Sequence, residues 1–444
     1  MTKTKIYFML PSVIIVSISL VLIILSILLF PKLKIGKFEI STYWLISLLA
    51  AAILLIFNLA PIEMVGDALV DNESPINPLK ILVLFFSMTF ISIFLEKAGL
   101  FSYLAERASL KFKNSQLGIF IIFYCLISLL TVFTSNDIVI LTFTPFLCYF
   151  CKNSKINPLP YLVMEFVAAN TWSMMLIIGN PTNMYLGTYA NIDFVQYFLK
   201  MAIPTLAAGI VEFAILYLLF RRPLKQKMVV EMEEQNYLKS KLDVIVGLTI
   251  LFICLIFLVI SSYIDVEMYL VSLISAVALL IYYLVISIVR KSTFLETISL
   301  FKKLPYALIP FVLSMFVIVI CLVHQGIAGN IAEALDGSYS IWTYGYSSLG
   351  VANLTNNIPM SILYSSVLSS HESAYHAQAV YASIIGSNIG AFITPLGALA
   401  GIMFTSLLKQ FDVKYSFMKF TIFGLLIGIP TISVALGALQ LMFL

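Results

Sequence analysis

Four short stretches place amide and hydroxyl side chains inside otherwise apolar sequence, and they are where this chain could do chemistry. They read Thr134-Ser135-Asn136-Asp137, then Gly179-Asn180-Pro181-Thr182-Asn183, then Asn353-Leu354-Thr355-Asn356-Asn357-Ile358-Pro359, and last Gly386-Ser387-Asn388-Ile389-Gly390 followed by Thr394-Pro395-Leu396-Gly397. Irregular backbone at membrane depth survives only where it is buried in protein or lines a wet cavity. Amides and hydroxyls both donate and accept hydrogen bonds. Carbonyls freed at a helix break bind cations, and half-helix N-termini favour anionic or oxygen-rich ligands. Any one of these stretches could simply cap a broken helix. Four of them in matched order predict a binding site lined by Ser135, Asn136, Asn180, Thr182, Asn183, Thr355, Asn356, Asn357, Ser387, Asn388 and Thr394.

Asp137 carries the one charge among these stretches. A carboxylate at the bilayer midplane costs at least about 2.5–3.5 kcal/mol, so it should face a cavity and hold a partner or a proton. Burial disfavours the charged form of a carboxyl, which suits a group that loads and releases a proton or a sodium ion. The plainer reading makes Asp137 the N-cap of a helix starting at Ile138. Glu165 is the second coupling candidate, five residues before Asn170; a place near the membrane interface is its alternative. Glu212 and His324 read as span-end residues, and His371 and His376 as surface residues of a loop. No Lys or Arg lies near the four breaks, so a neutral, hydroxyl-bearing or cationic substrate is expected rather than a dianion. Cys148 and Cys151 form a single CxxC, a spacing that suits a soft metal or redox pair but fits ordinary helix packing better. No HExxH, GxSxG or paired-aspartate motif supports an intramembrane enzyme. No cofactor, metal or nucleic-acid partner is expected.

The elements that position these residues follow from composition. Of 444 residues, 61% are hydrophobic and 11% charged, against roughly 25% charged in a soluble domain. Apolar runs of about 20 residues, enough to cross a bilayer core, recur from end to end. Plain runs fall near 9–30, 43–60, 79–97 and 201–220, and again near 243–262, 267–289, 304–324 and 417–443. Interrupted stretches cover 116–150 and 160–190 in the first half, and 341–369 and 377–407 in the second. The first run is too long for a signal peptide and reads as a retained span. Paired interruptions in two halves mark the binding site of a secondary transporter.

The charges test that count. If 116–150 and 341–369 are re-entrant hairpins, each half crosses five times and the second half is inverted. Then 20 of the 26 basic residues, including Arg107, Lys152, Lys155, Arg221, Arg222, Arg290, Lys302, Lys303 and Lys409, lie on one face. The opposite face holds Lys3 and Lys5 with Glu63, Asp67, Asp193, Asp265, Glu333 and Asp336. The positive-inside rule puts the first face in the cytoplasm and both termini outside. The expected fold is an all-α polytopic membrane protein. Residues 1–220 form the first inverted repeat (hairpin about 116–150, broken helix about 160–190), and 221–242 a cytoplasmic linker. Residues 243–444 form the second repeat (hairpin about 341–369, broken helix about 377–407).

These motifs resemble the ion transporter superfamily over nearly the whole chain, and more narrowly the arsenite efflux permease family. The carrying residues are Asn136-Asp137 before the apolar run that ends Thr144-Pro145, with Gly179-Asn180-Pro181-Thr182-Asn183, Asn356-Asn357-Ile358-Pro359 and Gly386-Ser387-Asn388-Ile389-Gly390. Sodium-dicarboxylate relatives carry Ser-Asn-Thr at both hairpin tips, where this chain has Ser135-Asn136-Asp137 and Thr355-Asn356-Asn357. The resemblance implies proton-coupled export of arsenite and antimonite as neutral trihydroxides, arsenical resistance, an elevator movement, a homodimer, and in some relatives an ATPase subunit as partner. It implies a bacterial-type plasma membrane and a small inorganic substrate. The alternative is a sodium-coupled carrier of an inorganic anion or carboxylate, or a sodium/proton antiporter, with Asp137 and the tip carbonyls holding Na⁺.

Overall fold

Apolar runs bounded by capping residues become helices throughout the computed structural model. It describes residues 3–30, 32–35, 38–70, 77–111, 115–226, 228, 240–261, 263–291, 298–337, 339–369 and 376–443. His371 and most of the central linker lie outside the described residues.

The first half opens with α1 (Lys3–Leu29), a two-stranded antiparallel ribbon of β1 (Lys32–Ile35) and β2 (Phe38–Ser41), α2 (Thr42–Ile56) and α3 (Ile62–Val70). It continues with α4 (Pro78–Lys97), α5 (Leu100–Lys111), α6 (Gln116–Phe133), α7 (Asn136–Asn153), α8 (Leu159–Trp172), α9 (Pro181–Tyr189) and α10 (Phe194–Phe220). The second half holds α11 (Lys241–Ile260), α12 (Met268–Val289), α13 (Leu308–His324), α14 (Ile327–Leu335), α15 (Ser340–Thr355), α16 (Asn357–Ser369), α17 (His376–Gly390), α18 (Leu399–Gln410) and α19 (Phe417–Leu441). The ribbon, α3, α5 and α14 fall where the apolar runs stop, at places that apolar length alone leaves as loops. Short amphipathic segments carry too little apolar length to register as spans.

Helix starts carry legible signals. Asn77 accepts from the Leu79 and Lys80 amides ahead of α4, with Pro78 at the first helical position. Ser115, Asp193, Ser240 and Ser416 cap α6, α10, α11 and α19 in the same way. Each satisfies an orphan amide of a helix N-terminus. Asp193 draws the start of α10 back to Phe194, ahead of the expected 201.

Among the described residues, seven helical segments are long and apolar enough to cross a bilayer. α4 is the inner one, with Phe85, Met88, Ile91 and Leu95 all buried. α11 and α12 lie at the periphery and turn Ile245, Phe252, Ile274 and Ile288 outward, as lipid-facing helices do. Polar pairs mark the two ends of the bundle. Lys80, at the start of α4, meets Glu267, at the start of α12, at 2.8 Å. Glu96 at the far end of α4 meets Lys303, and Arg290 past the end of α12 grips Asp243 of α11 through two bonds of 2.6 and 2.8 Å.

α10 and α19 pack antiparallel along their length. Lys200 donates to the Met442 carbonyl at one end, and Phe220 meets Phe423 at the other. The starts of α6 and α8 lie together: Gln116, at the start of α6, donates to the Gln226 carbonyl past the end of α10 and accepts from Tyr161 at the start of α8. α15 and α17 meet the far end of α19. There Trp342 of α15 donates to Gln440 of α19, and Tyr381 of α17 meets Phe443.

Candidate functional site

Broken helices supply the site's geometry. Between α8 and α9 the chain makes two 3₁₀ turns, Ser173–Met175 and Ile177–Gly179. Gly179 is required there, because a Cβ would run into the Ser173 carbonyl. α7, α9, α16 and α18 begin at Asn136, Pro181, Asn357 and Leu399, so four helix N-termini start at the breaks. Each brings the positive end of a helix dipole. Asn170 is the twelfth residue of α8, roughly 16 Å along the axis from Leu159, about half of a ~30 Å hydrocarbon core.

Asn388, at the end of α17, is the centre of the first polar cluster. Its Oδ1 accepts from Ser173 Oγ at 2.9 Å and from Asn180 Nδ2 at 3.0 Å. Its Nδ2 donates to Asn183 Oδ1 at 2.6 Å and to the Ile384 carbonyl at 2.8 Å. Asn183 is held in turn by donating to the Ser173 and Leu176 carbonyls. Asn180 also caps α9, accepting from the Thr182 amide and hydroxyl. The cluster extends to the α6–α7 tip: the single Ser173 hydroxyl proton is shared between Asn388 Oδ1 and the Asn170 carbonyl, and Asn136 Nδ2 donates to Asn170 Oδ1 at 3.1 Å. Residues more than 200 positions apart thus share one buried network of amides and hydroxyls.

A second cluster pins the α15–α16 tip against the turn after α17. Asn353 donates to the Gly390 carbonyl and accepts from the Thr394 amide and hydroxyl, the latter at 2.7 Å. Asn356 donates to the Leu396 carbonyl, and the Asn357 amide to the Gly397 carbonyl. Among the described residues, Thr355 bonds only to the Val351 and Asn356 carbonyls. Asn356 has φ 79° and ψ 155°, a region populated almost only by glycine that costs of order 1–3 kcal/mol. Gly386 lets α17 lie directly on α15, since a Cβ there would meet the Gly345 carbonyl and Ser348 Oγ.

Of the predicted residues, Asn136, Asn180, Asn183 and Asn388 join one network, and Asn356, Asn357 and Thr394 the other. Thr182 touches the first through Asn180. Ser135 and Ser387 are buried with hydroxyls that find no partner among the described residues. Asn170, Ser173 and Asn353 belong to the networks and are absent from the residues expected to line the site. Asn170 and Ser173 are polar residues within an apolar run, and that is the signal the sequence offers for them.

The carboxyls differ from expectation in two places. Asp137 is not an N-cap: α7 starts at Asn136, two residues earlier than expected, Ser135 occupies the cap, and Asp137 sits half-buried in the first turn. Its amide bonds to Asn136 Oδ1, and its carboxylate makes no hydrogen bond among the described residues. Tyr43 of α2 is a polar neighbour. Glu212, expected near a span end, lies within α10 and is wholly buried. Glu165 is wholly buried on α8, with Oε1 accepting from Thr144 Oγ1 of α7 at 2.9 Å and Oε2 without a partner among the described residues. It stands level with the middle of α7, more than a helical turn from Asn170. All five cysteines are free, and Cys148 and Cys151 are buried on α7. Among the described residues no group of three His, Cys, Asp or Glu side chains is placed to hold a metal ion.

The family model described as a citrate transporter matches residues 20–386. The chain is 24% identical over 398 residues to a 46 kDa membrane protein of Mycobacterium leprae, covering 86% of this chain and 90% of that one. It is 24% identical over 371 residues to the arsenical pump membrane protein of Escherichia coli strain K12, covering 80% and 85%. A putative transporter of Dictyostelium discoideum is 29% identical over 181 residues, covering 40% of this chain and 30% of that one.

Proposed function

The chain belongs to the citrate transporter family, whose members are membrane transporters and not enzymes, and from that premise we propose that it exports arsenite and antimonite as neutral trihydroxides in exchange for protons. The observation that carries this reading is the composition of the Asn136–Asn170–Ser173–Asn388–Asn180–Asn183 network. Its bonds come from amides, hydroxyls and backbone, with no cationic side chain. Such a lining suits a ligand that itself offers hydroxyls. Asp137, next to the network and without a bonded cation, supplies the coupling proton site. The names of the relatives in Escherichia coli point to the same substrates.

Two inverted repeats with re-entrant hairpins are the architecture that goes with this function. The shared end of Gln116, Tyr161 and Gln226, the shared end of Trp342, Tyr381 and Gln440, and the tips meeting broken helices near mid-depth all favour it. On this reading the hairpins and broken helices move as one body against the plain spans, elevator fashion, within a homodimer. Both termini lie outside.

A carboxylate substrate is the second reading, favoured by the description of the family model. The four helix N-termini could receive its charge, but no Lys or Arg side chain completes the network, and Asp137 opposes it. Everted membrane vesicles decide between them. With a pH gradient imposed, the first reading expects arsenite and antimonite uptake and no citrate uptake. Gradient-driven citrate uptake without arsenite uptake would establish the second.

A further inference from the structure

Glu212 is a buried carboxyl that the proposed mechanism does not use. It lies in α10 eight residues before Phe220, roughly 12 Å along the axis. It is 0% exposed, and neither carboxyl oxygen has a hydrogen-bond partner among the described residues. Its polar neighbours are Tyr124 of α6 and Thr171 of α8. Tyr124 spends its only hydroxyl proton on the Gly209 carbonyl at 2.6 Å, and its oxygen already accepts from Trp172 Nε1 at 3.0 Å. Thr171 Oγ1 is itself buried and finds no partner among the described residues. Gly209 lets α10 press against the Trp172 indole, where a Cβ would collide. No acidic or basic side chain of α6, α8, α11 or α19 adjoins Glu212 among the described residues.

A bare carboxylate in this setting would have one hydroxyl to stabilise it and no counter-charge. Isolated buried charges of that kind neutralise rather than persist. A protonated carboxyl can donate to Tyr124 or Thr171, each of which has a free lone pair nearby. We propose that Glu212 is a proton-binding site of the transport cycle, loaded while α8 is packed on α10 and emptied only when Thr171 and Tyr124 part from it. Thr171 links this site to the polar network, since it lies between Asn170, bonded to Asn136, and Ser173, bonded to Asn388. A movement of the break in α8 is therefore what would uncover Glu212. The role in the cycle rests on the proton-coupled export reading; the proton itself does not.

The test has two arms on the full-length protein in liposomes. Without substrate, infrared spectra near pH 7, where an ordinary glutamate is more than ~99% ionised, should contain a protonated-carboxyl band that Glu212→Gln removes and Glu212→Asp shifts. Superimposable wild-type and Glu212→Gln spectra would overturn the site. In the second arm, gradient-driven antimonite transport should exceed transport at equal pH by about 10-fold in wild type, and by less than about 2-fold in Glu212→Gln, a coupling loss of ordinary allosteric size. Glu212→Asp should restore the gradient dependence, which separates a proton role from a packing role if Glu212→Gln folds poorly. A Glu212→Gln protein still driven about 10-fold by the gradient overturns the proposal. If wild type moves neither arsenite nor antimonite, the export reading falls, and the infrared band alone decides the proton on Glu212.

Discussion

Replacing Asn388 with alanine tests the network at its centre. The side chain makes four hydrogen bonds, and three of them cross between helices or breaks, to Ser173, Asn180 and Asn183. Hydrogen bonds between membrane helices average only about 0.6 kcal/mol, so three of them set a floor near ~2 kcal/mol. The greater cost lies in the groups that truncation leaves behind. Asn180 Nδ2 and Asn183 Oδ1 lose their partners in a site with 0–1% exposure, and each orphaned polar group costs about 1–3 kcal/mol. Ser173 escapes, because it keeps its bond to the Asn170 carbonyl. Asn388→Ala should therefore destabilise the protein by about 2–6 kcal/mol.

Asn388→Asp should be no milder despite its equal size. Its second oxygen would face Asn183 Oδ1, and Asn183 cannot turn over without giving up the Ser173 and Leu176 carbonyls. Denaturant unfolding in mixed micelles, followed by the fluorescence of Trp172, measures both. An Asn388→Ala protein within about 0.5 kcal/mol of wild type would refute the argument, as would additivity in an Asn183→Ala, Asn388→Ala cycle, since residues in direct contact normally couple by about 0.5–3 kcal/mol.

Other substitutions probe separate points. Asp137→Asn should abolish gradient-driven antimonite transport while leaving antimonite-dependent thermal stabilisation in place; retained coupling would remove Asp137 from the mechanism. Asn356→Ala should cost about 1–3 kcal/mol, because it loses the bond to Leu396 and leaves the φ strain unrelieved, whereas Asn356→Gly should lie within about 1 kcal/mol of wild type, since relief of the strain offsets the lost bond; the two midpoints compared in one denaturant series decide it. Gly179→Ala should fail to accumulate as folded protein, since the Ser173 carbonyl occupies the Cβ position and backbone must shift at about 1–3 kcal/mol or more; monodispersity on size exclusion checks it. Arg290→Ala should cost only about 1 kcal/mol, because the side chain is 41% exposed and such pairs are screened; its effect should shrink further in high salt.

Sequence alone determined the class of the protein and the location of its breaks. Bilayer physics reads directly from composition: long apolar runs must be helices because every backbone group must be satisfied internally. Gly179-Asn180-Pro181 and Asn356-Asn357 mark interruptions because Gly, Pro and Asn interrupt hydrogen-bonded helix locally. The same local rules make α3, α5, α14 and the β1–β2 ribbon hard to see, since none has enough apolar length to stand out. Tertiary structure decided which interruptions meet. Nothing in the spacing says that Asn388 bonds Asn180 and Asn183, or that Asn356 and Asn357 dock on Leu396 and Gly397, because those contacts depend on how two distant halves pack. It also decided the standing of the carboxyls. Asp137 sits inside its helix rather than at its cap, and Glu212 is buried because α6 and α8 close over it. Burial is a property of neighbours, and neighbours more than a turn away are written in the fold and not in the local residue order. The four polar stretches with which the site began are therefore legible as residues, while their grouping into two networks, and the buried Glu212 behind one of them, belong to the packing.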